Sequence, residues 1–214
     1  MQGGMSLSRI LLLFSACGLL WLGMGLAASR HIVGAMLPLL QREISWIAPQ
    51  FTLTDLRLTH TGLEESIQVL VNTKRFRVIR GGYLPAGIPL QSSTLAGNVL
   101  QPLILMLSLV SGAGLIYRRQ FARMILISIP AAFALVMLDV PFVLVGALED
   151  LVLSSANSLS PNDSLWILWM NFLNGGGRWA LGIAAALAVI ALALNAPPLT
   201  TMLSMIKTNG RVTQ

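Results

Sequence analysis

The segment Tyr117-Arg118-Arg119-Gln120-Phe121-Ala122-Arg123 decides the fold class of this chain. It lies between two long apolar blocks, 99–116 and 124–148. Short loops rich in Lys and Arg stay on the cytoplasmic side when a membrane protein inserts. The arginines Arg118, Arg119 and Arg123 therefore predict a cytoplasmic turn between two membrane-spanning helices, and they act as the topology anchor of the chain.

The composition agrees with a membrane protein. The chain has 214 residues, of which 55% are hydrophobic and only 10% are charged, and its mean hydropathy is +0.76. Soluble domains usually carry about 25% charged residues. The net charge of +6 indicates orientation and contact with anionic membrane lipid. The sequence contains no nucleic-acid-binding motif, so we expect no nucleic acid partner.

Four apolar blocks are long enough to cross a bilayer, which takes roughly 20 residues. The blocks are Ile10 to Ala28, Val99–Leu115, Met124–Leu148 and Trp179–Leu194. With the arginine turn inside the cell, both termini are cytoplasmic, and the chain is predicted to be a multi-pass membrane protein. The fold class is then integral membrane, mainly α, with four transmembrane helices and a small extracytoplasmic α/β insertion, carrying an antiparallel sheet, between helices 1 and 2.

This topology divides the chain into four parts. They are an N-terminal transmembrane helix (1–28), an outer segment (29–95), a three-helix membrane bundle with an outer interfacial helix at 164–174 (96–197), and a cytoplasmic tail (198–214). Two cleavage patterns compete with an uncleaved first span. Gly25-Leu26-Ala27 fits the end of a signal peptide, and Phe14-Ser15-Ala16-Cys17 is close to a lipoprotein box.

The outer segment begins with an amphipathic pattern. Apolar residues recur at helical spacing over 30–47, which predicts a helix lying along the outer interface. The alternative is an extension of the first span, with a kink at Pro38.

Beyond this helix the apolar period changes to that of strands, around 51–58, 67–71 and 76–79. The pattern predicts an antiparallel sheet of two to four strands. About 40 residues rarely bury enough apolar surface to fold alone. We therefore expect the sheet to dock on the outer helix, on the bilayer surface or on another membrane or periplasmic protein.

Four positive charges lie within seven residues of the outer segment: Lys74, Arg75, Arg77 and Arg80. This run is a candidate patch for an acidic partner, an anionic lipid or a polysaccharide. The alternative is a solubilising run that protects the sheet edge.

Asp139 is the only acidic residue inside a predicted span, and such a carboxylate is a candidate functional group by default. It is a candidate proton or cation ligand, or else a polar tie to another helix. Arg178 is the best-placed partner, because it follows the predicted hinge Gly175-Gly176-Gly177. The alternative for Arg178 is snorkelling to the outer headgroups.

The single cysteine, Cys17, and the two histidines, His31 and His60, are too few and too scattered for a metal site. We expect no metal, no cofactor and no catalytic residue, and we interpret Cys17 as a small buried residue. No phosphate-binding loop, HExxH or GxSxG motif is present.

The overall layout resembles the small membrane proteins encoded beside bacterial exosortases, with an N-terminal span, a short outer β-rich segment and further spans. Ser15-Ala16-Cys17-Gly18 is similar to the Ala-Cys region of exosortases themselves. The exosortase pattern also needs an Arg and a His on later spans. Arg178 could stand for the first, and no His is available for the second. The resemblance therefore implies a partner role in envelope protein sorting and not the transpeptidase itself.

We accordingly expect a non-catalytic accessory or assembly subunit of the inner membrane, whose outer β segment docks on a partner. Two alternatives stay open. One is a transport or proton-coupled component that uses Asp139, and the other is a membrane thiol enzyme that uses Cys17.

Overall fold

The structure is a computed structural model that describes residues 6–61, 64–79, 82–155 and 164–195. Its elements are α1 (Leu7–Ile47), β1 (Phe51–Thr61), β2 (Glu64–Thr73), β3 (Arg77–Ile79), β4 (Gly82–Leu84), β5 (Pro89–Leu95), α2 (Ala96–Ile116), α3 (Phe121–Ser155), α4 (Leu165–Phe172) and α5 (Arg178–Asn195). A 3₁₀ turn, Arg118–Gln120, joins α2 to α3, and a π-type turn, Leu173–Gly177, joins α4 to α5. The predicted cytoplasmic tail lies outside the described residues.

The described chain is mostly helical, and four of its helical runs are long and apolar enough to cross a membrane. They are Leu7–Ile47, Ala96–Ile116, Arg118–Ser155 and Leu165–Asn195. The most apolar stretch of 18 residues in each run has a mean hydropathy between 1.9 and 2.3. These runs contain the four apolar blocks of the sequence. The prediction of four long apolar helices and a small antiparallel sheet is confirmed.

Helix α1 does not end at residue 28. It continues unbroken for 41 residues, which is about 60 Å at helical rise. Residues 30–47 therefore extend the first predicted span and do not form a separate interfacial helix. Pro38 lies inside α1 and removes the N–H that would bond the Gly34 carbonyl, but the helix continues past it.

The C-terminal half of α1 is amphipathic because one of its faces packs on the rest of the chain. Val33, Leu40 and Ile44 are buried on this face, whereas Trp46 on the other side is 83% exposed. The helical spacing of the apolar residues in 30–47 therefore marks a face that packs against other parts of the protein.

Three antiparallel strands form the main sheet in the order β1-β2-β5. The register of β1 on β2 shifts between Leu53 and Asp55, which marks Thr54 as the extra residue of a β-bulge. Without the bulge, Leu56 would lie on the face opposite to Leu53. With it, Leu53 is paired with Val71 and Leu56 with Val69, so both lie on one face. The bulge explains the imperfect alternation of the sequence.

The sequence reasoning missed strand β5. Its buried positions include Ser92 and Thr94, which lie opposite Val69 and Ile67 of β2. Polar residues at these positions hide the apolar alternation on which strand prediction relies. The short strands β3 and β4 form a separate hairpin. The strand predicted at 76–79 corresponds to β3 of this hairpin, which begins at Arg77.

The apolar face of the main sheet packs on the protein's own helices. Strand β1 contacts α1, strand β2 contacts α2, and strand β5 contacts α3 and α2. Ile67, Val69 and Val71 of the central strand are at most 1% exposed. The sheet is therefore covered without another protein, and the expected need for a partner does not follow from its size.

The membrane-type helices pack closely through small residues, as helices do in apolar surroundings. Helix α2 is central and contacts α1, α3 and α5. A Cβ added at Gly182 of α5 would lie 2.8 Å from the Pro102 carbonyl oxygen of α2. A Cβ added at Gly146 of α3 would lie 2.6 Å from the Trp166 carbonyl oxygen of α4. Alanine at either position would force these helix pairs apart.

Candidate functional site

Asp139 and Arg178 form a buried ion pair between α3 and α5. Their exposed fractions are 1% and 4%. Arg178 Nε lies 2.8 Å from Asp139 Oδ2 and 3.1 Å from Oδ1, and Arg178 Nη2 lies 3.0 Å from Oδ1. Hydrogen bonds between two ionised groups are among the strongest in proteins. The structure thus brings together the two residues that the sequence singled out as a polar tie.

The π-type turn before α5 positions the guanidinium. Gly176 adopts φ 110° there, a left-handed conformation that a side chain would strain. Arg178 follows as the first residue of α5, and its Nη1 donates to Asn174 Oδ1 at 3.0 Å. On α3, the Leu138 carbonyl accepts a 2.9 Å hydrogen bond from Trp169 Nε1, so α4 is fixed beside the ion pair.

This geometry favours a structural role for Asp139. Each of its carboxylate oxygens accepts at least one hydrogen bond from Arg178, and the third guanidinium nitrogen is held by Asn174. A site that takes up and releases a proton or cation needs an accessible carboxylate. In the part of the chain that the structure describes, no cluster of three His, Cys, Asp or Glu residues could hold a metal ion.

Lys74 and Arg75 lie on the outer segment, in the turn between β2 and β3, and both are exposed. Both are among the residues that line a cleft of about 480 Å³, whose apolar lining includes Phe51, Leu84 and Val152. The structure does not describe the side chains of the other two members of the predicted basic patch. Arg77 begins β3, where its side chain is not described, and Arg80 lies outside the described residues.

The cleft, which we call the outer cleft, forms where three connections meet. They are the α1–β1 turn at Pro49 and Gln50, the β2–β3 turn at Thr73–Phe76 and the end of β4 at Leu84, all packed beside α3. The Lys74 amide donates to the Gln50 carbonyl at 3.0 Å. The Thr73 hydroxyl donates to the Pro85 carbonyl at 2.8 Å and accepts from the Ile88 amide at 3.0 Å. These bonds hold the cleft walls in place.

The topology anchor divides into two parts. Arg118 and Arg119 lie exposed in the 3₁₀ turn, as expected of loop charges. Arg123 does not lie in the loop, because α3 already begins at Phe121. It is 8% exposed, and its Nη1 donates to the Ala193 carbonyl at 3.1 Å, near the C-terminal end of α5. A cation at this end also interacts favourably with the helix dipole. Arg123 therefore joins two helices as well as adding charge.

Cys17 is buried in α1, with an exposed fraction of 7%. A reactive thiolate needs a nearby base or a positive field. His31 lies 14 residues further along the same helix, which is about 21 Å. The structure thus places no histidine of α1 beside the thiol.

Sequence reasoning missed the burial of Glu149, which is 8% exposed on α3. Its Oε2 accepts a hydrogen bond from the Ser164 hydroxyl, and its Oε1 lies 3.5 Å from Gln50 Nε2. Glu149 thereby connects α3 to the residue before α4 and to the wall of the outer cleft. The sequence carries no signal for this burial, because the apolar residues of 124–148 lie on every face of the helix.

Comparison with protein-family models, with curated proteins and with solved structures finds no match to this chain. The functional conclusion therefore depends on the geometry of the chain's own residues.

Proposed function

We propose that this chain is a multi-pass protein of the bacterial inner membrane with both termini in the cytoplasm. In this proposal it is a non-catalytic accessory or assembly subunit, whose outer segment docks a partner protein in envelope protein sorting or export. Four long apolar helices support the membrane placement. Exposed arginines in the α2–α3 turn support the orientation, since short basic loops stay inside.

The outer cleft is the observation that carries the docking function. Its lining includes the buried apolar residues Phe51, Leu84 and Val152, together with the exposed Lys74 and Arg75. Its volume of about 480 Å³ is in the range of specific binding pockets. A partner segment with an apolar side chain beside one or two carboxylates would match both features. The partner proposed here is therefore an acidic, extended segment of a membrane or periplasmic protein.

The closed ion pair argues against the transport alternative. A carboxylate whose two oxygens are held by a buried arginine is poorly placed to exchange protons with water. If Asp139→Asn folded normally and kept its partner but lost the cellular function, the transport alternative would gain support.

A charge-reversal experiment tests the docking function. The variant Lys74→Glu/Arg75→Glu changes two exposed side chains at the cleft. Its matched control is Arg42→Glu/Arg57→Glu, which makes the same change in net charge at exposed positions away from the cleft. Each protein is purified in mild detergent after crosslinking in cells, and the co-purifying proteins are quantified by mass spectrometry.

We expect the cleft variant to lose a discrete partner by about tenfold or more, because like charges juxtaposed in an interface cost several kcal/mol. The control variant should retain the same partner. Equal recovery of all co-purifying proteins from the wild type and the cleft variant would contradict the docking function.

A further inference from the structure

Two recesses adjoin along the first turns of α2. The lower recess, of about 620 Å³, runs between α1 and α2 toward Trp179 of α5. The upper recess, of about 550 Å³, lies beside the sheet. Both are lined by four shared residues: Leu26, Gly97, Asn98 and Leu100. They therefore form one groove, which we call the α1–α2 groove.

The groove is longer than the hydrocarbon layer of one leaflet is thick. From Phe14 to Ser29, which line its two ends on α1, the helix rises about 22 Å. Half of a hydrocarbon core is about 15 Å. The groove therefore reaches from the outer polar segment into the region of the lipid chains.

The lining of the groove changes in a definite order along its length. Its outer end holds Glu65, whose carboxylate is only weakly engaged, 3.6 Å from His60 Nε2 and 3.3 Å from the Ser29 hydroxyl. The next level holds Asn98 and Gln101, whose side chains make no hydrogen bond within the described residues. Deeper positions are mainly apolar.

This order matches the parts of a phospholipid with a primary ammonium headgroup. An ammonium donates hydrogen bonds to a carboxylate, and amide side chains donate to the ester oxygens of a glycerolipid. Acyl chains fill an apolar groove. We propose that the α1–α2 groove binds one phosphatidylethanolamine-type lipid, with its ammonium group on Glu65. This inference uses the membrane placement proposed above but not the docking function.

The ammonium chemistry distinguishes this occupant from the helix of another protein. A partner helix would need small or polar residues along its length to match the groove. It would gain nothing particular from a carboxylate at the outer end. An acidic group at headgroup level instead selects among lipids, because a trimethylammonium group has no N–H to donate and an anionic headgroup is repelled.

The test is native mass spectrometry of the full chain, purified in mild detergent. The protein is offered phosphatidylethanolamine, phosphatidylcholine and phosphatidylglycerol with identical acyl chains. We expect phosphatidylethanolamine to be retained about fivefold or more over the other two, which is a modest effect for a charge-assisted hydrogen bond. Equal retention of the three lipids by the wild type would overturn the proposal.

Two variants localise the binding, each with a matched control. Glu65→Gln should abolish the preference for phosphatidylethanolamine, whereas Asp55→Asn, at an exposed carboxylate of the same sheet, should keep it. Gly97→Leu fills the groove where an added Cβ meets nothing within 4 Å, so it should lower retention of all three lipids. Gly23→Leu, at an equally open position that does not line the groove, should not.

An unchanged preference in Glu65→Gln would overturn the assignment of the headgroup. If that variant failed to fold, the wild-type preference and the Gly97→Leu result would still decide the proposal. The Lys74→Glu/Arg75→Glu protein should retain the lipid preference even though it loses its partner. A failure of the docking function is thereby distinguishable from a failure of the lipid site.

Discussion

The buried pair of Asp139 and Arg178 makes the sharpest stability prediction. Asp139→Asn removes the negative charge that faces Arg178 and replaces one of its two acceptor oxygens by an amide donor, while the guanidinium stays buried. Charge centres about 4 Å apart attract by about 4 kcal/mol at an effective dielectric constant of 20. Breaking one side of a buried pair generally costs about 3–5 kcal/mol. We expect a loss of that size in the free energy of unfolding.

The assay is reversible unfolding in detergent micelles by added dodecyl sulfate, followed by tryptophan fluorescence. Trp169 is one of the five tryptophans that give this signal, and its indole donates to Leu138 next to Asp139. The control is Asp55→Asn, whose carboxylate is 44% exposed and lies 3.5 Å from Arg57. An exposed pair of this kind is worth at most about 1 kcal/mol.

A double-mutant cycle isolates the pair itself. Arg178→Gln should be as damaging as Asp139→Asn, because it leaves the carboxylate unpaired. The double variant should be more stable than the sum of the single effects predicts, by about 2 kcal/mol or more. Exchanging the two charges, with Asp139→Arg and Arg178→Asp together, should express better than either single reversal. Additive single effects, within about 0.5 kcal/mol, would refute the argument.

Two further predictions concern helix contacts. Arg123→Gln should lower the free energy of unfolding by about 1–2 kcal/mol in the same assay, because it removes a charged donor from the Ala193 carbonyl, whereas Arg119→Gln should change it by less than about 0.5 kcal/mol. Gly182→Ala should destabilise the chain by about 1–3 kcal/mol because its Cβ meets the Pro102 backbone, whereas Gly23→Ala, which meets nothing within 4 Å, should be stabilising or neutral. Equal effects within either comparison would show that these contacts do not determine stability.

The presence of four long apolar helices could be predicted from sequence because their length and apolar composition are enough to identify them. The limits of prediction appear where tertiary contacts decide. Helix α1 passes residue 28 without a break because its C-terminal half has a sheet to pack on, and Arg30 and His31 remain exposed there. A sequence pattern does not distinguish such a helix from one that lies on a membrane.

The sheet shows a second limit. Thr54 shifts the register of β1, so Leu53 and Leu56 share one face although their spacing in the sequence would place them on opposite faces of a regular strand. Ser92 and Thr94 are buried in β5, although their residue types are typical of exposed positions. Both features depend on the neighbouring strand and helices, which the local sequence does not specify.

The pairing of Asp139 with Arg178 could be predicted from the sequence for an electrostatic reason. Asp139 is an acid within an apolar block, and a compensating charge had to come from another helix. Arg178 was the available cation beside a flexible glycine run. Arg123 and Glu149 were harder to assign, because each lies near the end of an apolar block, where a charged residue is as easily exposed as buried.

Site-specific photocrosslinking in cells is the most direct test of partner docking at the outer cleft. Phe76 lines the outer cleft and is 59% exposed, so a benzophenone amino acid there would face a docked partner. We expect one discrete crosslinked protein, absent from the Lys74→Glu/Arg75→Glu variant and from a benzophenone placed at Arg42. Crosslinks to lipid alone, or the same protein crosslinked equally in the charge-reversed variant, would contradict the claim that the outer cleft docks a partner.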